Sequence, residues 1–102
     1  MLRVGDLTLD LRTRRAHVAD RTVDLTAREF ALAEVFCRHP DQVLSREQLL
    51  SNAWGFDLDP ESNVVDVYVG YLRRKLAGFA ECGLVLRTLR GRGFQLAVKD
   101  EE

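Results

Sequence analysis

The side chains able to bind a partner through charge and hydrogen bonds are concentrated near the end of this 102-residue chain. Residues 63–99 carry seven basic and two acidic side chains, a net charge of +5, whereas residues 1–62 carry eight basic and eleven acidic ones, a net charge of −3. The last three residues are acidic, and the whole chain has a net charge of −1. This uneven distribution is typical of a surface that faces a polyanion, with a solvated charge cluster as the alternative.

Within the basic region, residues 62–78 (SNVVDVYVGYLRRKLAG) have the periodicity of a helix with two different faces. At about 100° per residue, one apolar stripe, with Tyr68 beside it, predicts burial against a core. The opposite face mixes small, hydrogen-bonding and basic groups, which suit a DNA major groove, although an ordinary solvated face is the alternative. The stripe contains Val65, Val69, Leu72 and Leu76, and the outer face contains Asn63, Val67, Gly70, Tyr71 and Arg74.

Gly70 is unusual in the middle of this predicted helix. Glycine there costs about 1 kcal/mol relative to alanine. We therefore expect that another molecule approaches this face closely.

A second basic element is Arg90-Gly91-Arg92-Gly93, between predicted strands at 85–89 and 94–98. Glycine adopts the positive φ that a tight hairpin turn requires. Two arginines on a narrow tip can enter a minor groove, where arginine is favoured. Exposed arginines on hairpins are common, so the tip becomes specific only together with the helix.

Catalysis is not indicated. Cys37 lies on the apolar side of a predicted helix and His39 stands beside the helix-ending Pro40, whereas a nucleophile and its base need a third orienting group and a pocket. His17 falls on a predicted strand as a surface residue. The sequence has no Gly-rich phosphate loop after a strand and no metal-ligand cluster. We expect no catalytic residue, metal or cofactor.

The composition limits the class of protein. Hydrophobic residues make up 46% of the chain and charged residues 30%, as in soluble globular proteins, and this length suits one domain. No apolar run approaches the roughly 18 residues that span a bilayer, and no signal peptide is visible. Cys37 and Cys82 have neither metal nor redox spacing. We expect a cytoplasmic protein without a membrane partner.

The elements that must position the basic groups are also predicted. Alternating apolar residues before position 25 predict an antiparallel sheet of four short strands, Leu2–Val4, Leu7–Asp10, Arg15–Val18 and Arg21–Asp24.

Two capping boxes then predict helix starts, at Thr26 with Glu29 and at Ser45 with Gln48. The first helix should run to about Arg38 and bury one apolar face, and the second should end near Ala53. The residues expected on the buried face of the first helix are Phe30, Ala33, Phe36 and Cys37. Arg46, in the first turn of the second helix, is badly placed for the helix dipole and is better placed to meet a phosphate.

Residues 54–61 (WGFDLDPE) join helices two and three. Such a loop either packs back through its aromatic residues or offers a surface to a protein partner. For Trp54 we favour packing, because large aromatic residues are usually anchors.

The order sheet, helix, helix, helix, basic hairpin is that of a winged helix. Motifs with characteristic spacing cover nearly the whole chain: LTAREF at 25–30, HP at 39–40, VLSREQLL at 43–50, AWG at 53–55, VDVYV at 65–69, LRRKL at 72–76 and RTLRGRGF at 87–94. Together they resemble the C-terminal effector domain of OmpR/PhoB-type response regulators.

The resemblance implies an α+β fold, a winged helix-turn-helix with an N-terminal four-stranded antiparallel sheet, three helices and a C-terminal β-hairpin wing. Residues 1–25 would form the sheet, 26–78 the three-helix part and 84–98 the hairpin. The implied function is sequence-specific binding of double-stranded DNA to control transcription. Helix three (62–77) would enter the major groove, and the tip (88–93) would lie at the minor groove.

Carried over by position, the resemblance assigns DNA contacts to individual residues. The helical periodicity adds Arg74 to the outer face. Val67 is chemically suitable, because an apolar side chain can pack on a thymine methyl group. The groove-facing set is Asn63, Val64, Val67, Tyr68, Tyr71 and Arg74, the backbone-contacting set is Arg46, Trp54 and Arg73, and the wing set is Thr88, Arg90 and Arg92.

Three positions depart from the better-known members. Arginine often stands where this chain has Asn63, Gly70 and Tyr71. This leaves the base preference open and lowers the number of phosphates neutralised. A winged-helix module that binds a protein, with weak or no affinity for DNA, is the alternative function.

The resemblance also implies partners. In this family the loop after helix two contacts RNA polymerase, and pairs of domains bind direct DNA repeats. A receiver domain with a phosphorylatable aspartate, controlled by a sensor kinase, precedes the effector domain, and no receiver fits in this length. We expect an excised domain that is monomeric in isolation, or else a stand-alone regulator. The polymerase loop comprises Gly55, Phe56, Asp57, Leu58, Asp59, Pro60 and Glu61.

Overall fold

A computed structural model of the chain describes residues 1–18, 20–55, 63–76 and 83–98. Several sequence predictions therefore lie outside the described residues. These are the polymerase loop after Gly55, the helical positions 62, 77 and 78, the connector up to Cys82, the turn position Ala19, the basic residue Lys99 and the acidic tail.

The N-terminal sheet has the four predicted strands with the predicted bounds: β1 (Leu2–Val4), β2 (Leu7–Asp10), β3 (Arg15–Val18) and β4 (Arg21–Asp24). They pair antiparallel in chain order, with Leu9 opposite Ala16 in the central pair. Because side chains alternate between the two faces of a strand, the apolar residues of β2 and β3 are buried on one face.

Helix α1 (Ala27–Arg38) starts at the predicted capping box. The Glu29 amide donates to Thr26 Oγ1 over 3.2 Å, and the Thr26 amide donates to Glu29 Oε1 over 2.9 Å. The predicted buried face is confirmed, with Phe30, Phe36 and Cys37 each at most 5% exposed. Helix α1 packs against β1 of the sheet and against the later helices, so it joins the two halves of the core.

Helix α2 (Arg46–Leu49) begins at the second predicted box, in which Ser45 and Gln48 cap each other over 2.8 and 3.1 Å. It continues as a π-helical segment, Leu50–Trp54, which ends where the Gly55 amide donates to the Leu50 carbonyl. The sequence predicted one helix to about Ala53 and did not predict the wider final turn. The capping signals define where the helix starts, whereas the π-helical turn depends on how its residues pack.

Helix α3 (Val64–Lys75) has the predicted orientation. Val65, Val69, Leu72 and Leu76 are at most 1% exposed and form part of the hydrophobic core found among the described residues. The opposite face of the helix points away from this core. No helix in the described part of the chain is long and apolar enough to cross a membrane.

The C-terminal hairpin consists of β6 (Leu84–Leu89) and β7 (Gly93–Val98), which are antiparallel. Each strand is one residue longer than predicted. A short strand, β5 (Val43–Leu44), pairs with β7 and gives the order β5-β7-β6. The sequence did not predict β5, because two residues show no periodicity and only the partner strand defines them.

The hairpin contains two glycines, Gly91 and Gly93, whose surroundings differ. Gly91 has a φ of 73° and open space where a Cβ would stand. Gly93 has a φ of 134°, and a Cβ there would overlap the carbonyl oxygen of Leu44. Gly93 is therefore needed both for its φ and for the close approach of β5.

We predict that Gly93→Ala lowers the free energy of unfolding by about 2–5 kcal/mol, because backbone strain and steric overlap act together. Gly91→Ala, the matched control, should cost only about 1–2 kcal/mol, from the left-handed conformation alone. Urea denaturation of both variants measures the difference. Equal losses would show that contact with β5 does not constrain Gly93.

Candidate nucleic-acid interface

The outer face of α3 carries most of the predicted groove-facing side chains. Asn63 and Arg74 are exposed, and Val64 and Tyr71 are half-buried. Val67 is 38% exposed, although it is a large apolar residue. An apolar group in the middle of a polar helix face is suited to contact with a thymine methyl group.

Gly70 lies on this face with no heavy atom within 4 Å of the place a Cβ would take. The described part of the fold therefore does not require glycine at this position. The space is open to an external molecule.

Three aromatic rings form a row beside this face. Trp54 meets Tyr68 edge to face, with ring centroids 5.3 Å apart, and Tyr68 meets Tyr71 in the same way at 5.1 Å. Such arrangements are favourable for aromatic pairs. Tyr68 and Trp54 pack partly against the core, so the packing role predicted for Trp54 agrees with the structure. Tyr68 supports Tyr71 from the core side.

Two arginines flank the aromatic row. The Arg28 Cζ lies 5.5 Å from the Trp54 ring centroid, and its Nη1 donates to the Ala53 carbonyl. The Arg74 Cζ lies 5.2 Å from the Tyr71 ring centroid. Cation–π contacts of exposed side chains are worth about 0.5–1 kcal/mol. They orient Arg74 while leaving it exposed.

Arg46 is held by an acidic residue of α3. Its Nε and Nη2 donate to the two carboxylate oxygens of Asp66 over 3.1 and 2.7 Å. Its Cζ also lies 5.2 Å from the Phe94 ring centroid, so Arg46 contacts α3 and β7 at once. The hydrogen bonds from Arg46 lower the pKa of Asp66 below its usual 3.8. Asp66 was not among the predicted site residues, although it is the one acidic residue within 63–76 and so the one available there to pair with a cation.

Arg73 is exposed, but its guanidinium also donates to groups of another element, strand β6. Its Nε and Nη2 donate to the Leu86 carbonyl over 3.2 and 2.8 Å, and Nη2 also donates to Thr88 Oγ1 over 2.8 Å. The structure thus joins Arg73 and Thr88, two predicted DNA contacts, to each other. The periodicity of α3 identified the face of Arg73 and could not reveal a partner on β6.

Glu29 links the start of α1 to the end of α3. Glu29 is only 4% exposed. Its carboxylate oxygen Oε1 accepts a hydrogen bond from Lys75 Nζ over 2.8 Å and another from the Thr26 amide. Burial alone would raise the pKa of Glu29, but the hydrogen bonds from Lys75 and Thr26 outweigh it, and the pKa lies below the usual 4.5. The capping-box motif predicted the Thr26 contact only.

The hairpin tip presents Arg90 and Arg92, both exposed. The Arg92 amide donates to the Leu89 carbonyl over 2.9 Å and closes the turn. Thr88, two residues before Arg90, joins the tip to Arg73. The tip therefore continues directly from a strand that is bound to α3.

Cys37 and His39, which the sequence does not indicate as a catalytic pair, lie in the last turn of α1 and at its C-cap. Burial raises the pKa of the Cys37 thiol to about 12, so it holds its proton at neutral pH. His39 is exposed at the end of α1. Among the described residues, no three His, Cys, Asp or Glu side chains are grouped as a metal site would require.

Three helices, a four-stranded antiparallel sheet and a C-terminal hairpin define a winged-helix domain, the class found in DNA-binding regulators. The family "Transcriptional regulatory protein, C terminal" matches residues 20–96. The chain belongs to this family and is of the OmpR/PhoB type found in response regulators.

Individual relatives agree with this assignment. The transcriptional regulatory protein PrrA of Mycobacterium tuberculosis is 50% identical over 96 residues, which are 94% of this chain. The chain spans 41% of the length of that relative.

Solved structures show the same fold. The DNA-binding domain of CpxR from E. coli has a TM-score of 0.84 at 33% identity, with 97% of both chains covered. The DNA-binding domain of RstA from Klebsiella pneumoniae, solved in complex with the RstA box, has a TM-score of 0.79 at 30% identity. That match covers 91% of this chain and 92% of the RstA domain.

We predict that acid unfolds the protein partly through Glu29. Because its pKa is lower when folded, its stabilising effect is complete above the unfolded value of 4.5 and is lost as the pH falls through the folded value. Glu29→Gln should flatten the fall in unfolding free energy below about pH 5. Urea denaturation at a series of pH values measures this slope.

Lys75→Met is the matched variant, because it keeps the aliphatic stem and removes the ammonium group. Without the ammonium group, burial raises the folded pKa of Glu29 back towards or above 4.5. The variant should therefore be less stable than the parent protein at neutral pH and should lose less stability as the pH falls below about 5. A profile that coincides with the parent's in both variants would contradict the role given to this pair.

Proposed function

We propose that this chain is the DNA-binding effector domain of a two-component response regulator, binding double-stranded DNA sequence-specifically to control transcription. The proposal rests mainly on one observation: helix α3 and the basic hairpin are hydrogen-bonded to each other. The outer face of α3 and the tip of the β6–β7 hairpin are connected through Arg73, so both can engage one duplex. Family membership supports the same conclusion.

The outer face of α3 would lie in the major groove. Asn63 can hydrogen-bond to a base edge, Val67 can pack on a thymine methyl group, and Tyr71 with Arg74 can bind the adjacent bases or phosphates. Val64 and Tyr68 pack partly against the core, so their proposed contribution is at the edge of the contact.

The hairpin tip would lie at the minor groove, where Arg90 and Arg92 meet a strongly negative potential. Thr88 precedes them on the same strand. Arg46, Trp54 and the first turn of α2 would face the phosphate backbone, as the family pattern implies.

We further propose the division into a sheet (1–25), a three-helix part (26–78) and a wing hairpin (84–98) as one DNA-binding domain. In the complete regulator, a receiver domain and its sensor kinase would control binding to direct repeats, and residues 55–61 would contact RNA polymerase. The isolated domain would be a monomer that acts in the cytoplasm, without enzymatic activity. These proposals rest on family membership.

A protein-interaction module remains the second candidate. The observation that favours it is charge pairing. The Arg46 and Lys75 charges are opposed by Asp66 and Glu29, which leaves fewer cations for phosphates. Such a module would bind DNA weakly or not at all.

Salt dependence distinguishes the two candidates. We predict binding to duplex DNA whose log K falls linearly with log salt, by about 0.9 for each phosphate neutralised. Fluorescence anisotropy with a sequence selected from a random pool, measured between about 50 and 200 mM salt, gives the slope. Absent binding, or binding that ignores salt, would favour the interaction module.

Substitutions should separate base contacts from phosphate contacts. Val67→Ala should cost about 1–3 kcal/mol of discrimination at one base pair, and Tyr71→Phe should likewise alter which sequence is preferred. Arg90→Ala and Arg92→Ala should weaken binding to all sequences and reduce the salt slope by about 0.9 each.

Two controls are matched to these variants. Val98→Ala removes an apolar side chain of similar exposure (43%) from β7, and Arg12→Ala removes an exposed arginine from the turn between β2 and β3. Both should leave affinity and preference unchanged. If all four interface variants act alike on every sequence, the proposed division between α3 and the tip is wrong.

A further inference from the structure

Two neighbouring arginines of α3 have different environments. The Arg74 guanidinium lies over the Tyr71 ring and is exposed. The Arg73 guanidinium donates to two oxygens of β6, the Leu86 carbonyl and the Thr88 hydroxyl. The two adjacent arginines therefore bind different groups: Arg74 contacts an aromatic ring of its own helix, and Arg73 contacts a neighbouring strand.

The contacts of Arg73 need the shape of a guanidinium. Nε and Nη2 share one carbonyl oxygen, while Nη2 also reaches the Thr88 hydroxyl. An arginine presents these donors in a fixed planar fork, whereas a lysine ammonium lacks the second donor at that spacing. The contact therefore defines an orientation of β6 as well as a distance.

The strand that Arg73 holds leads directly into the basic tip. Thr88 stands two residues before Arg90 and four before Arg92. A small rotation of β6 against α3 would displace both arginines at the tip. At the other end of α3, the Asp66–Arg46 pair with Phe94 joins the helix to β7 in a similar way.

We propose that Arg73 is a positioning residue, which acts through Thr88 to hold the wing tip at a fixed place relative to the recognition helix. This inference rests on the proposed DNA-binding function. It differs from the family-based expectation that Arg73 contacts the DNA backbone. If the tip is already ordered before binding, less conformational entropy is lost when both elements bind one duplex.

A double-mutant cycle between Arg73→Lys and Arg92→Ala tests the proposal. Arg73→Lys keeps the positive charge and removes the planar fork. In the parent protein Arg92→Ala should weaken DNA binding by about tenfold, but in the Arg73→Lys protein by about twofold or less, because the tip no longer reaches its groove reliably. Anisotropy titrations on one duplex give the four dissociation constants.

Arg74→Lys combined with Arg92→Ala is the matched control cycle. Arg74 makes no contact with β6 among those described, so its effect should multiply with that of Arg92→Ala. If Arg73→Lys also multiplies with Arg92→Ala, the two arginines contact DNA independently and the positioning role is wrong.

Thr88→Val gives a second test that leaves Arg73 itself intact, which matters if the lysine variant folds poorly. It should reduce the effect of Arg92→Ala to about threefold. An undiminished tenfold effect in a folded Thr88→Val protein would overturn the proposal.

A measurement without DNA separates this inference from the proposed function. NMR relaxation of the Gly91 and Gly93 amides should show order parameters falling from about 0.85 in the parent towards 0.6 in Arg73→Lys and Thr88→Val. Unchanged order parameters would overturn the positioning role. A parent protein that binds no duplex would overturn the proposed function, and the relaxation data would still decide how the tip is held.

Discussion

Burial of one stripe of α3 is the interaction on which the rest of the structure depends. Three side chains of this helix, and Leu76 directly after it, are at most 1% exposed, and each buried aliphatic group contributes about 1.5–3 kcal/mol. The exposed Arg46–Asp66 pair is worth about 0–1 kcal/mol by comparison. Hydrophobic burial therefore decides where α3 lies, and the polar contacts at its ends adjust its orientation. The same burial makes the opposite face, with Val67 and Gly70, available to a partner.

Five basic side chains near the proposed interface fall into two groups. Arg46, Arg73 and Lys75 bind to acceptors within the protein and connect α3 to β7, β6 and α1. Arg90 and Arg92 are exposed at the hairpin tip. A simple count of basic residues would assign all five to a polyanion. The structure shows that most of the charge on α3 serves first to hold the helix, which is consistent with the modest overall charge.

Much of the architecture was predictable because its signals are local. The bounds of β1 to β4, the two capping boxes and the buried stripe of α3 each follow from a few neighbouring residues, and all are confirmed. The third strand of the wing sheet, Val43–Leu44, was not predictable, because its hydrogen bonds go to residues about fifty positions later. The π-helical turn before Gly55 was also missed, although its closing hydrogen bond to Leu50 is local, because the sequence signals mark where α2 starts and not how its last turn is wound.

The sequence by itself determined the fold class, the family and the two basic elements. Periodicity, helix caps and motif spacing each depend on residues that are close together in the chain, so they can be recognised without the structure. Only the tertiary structure decided what individual side chains contact. Asp66 holds Arg46, Glu29 holds Lys75, and β6 holds Arg73, each across 13 to 46 positions of the chain. Such pairs form because folding brings distant segments within hydrogen-bond distance, and no local pattern encodes that proximity.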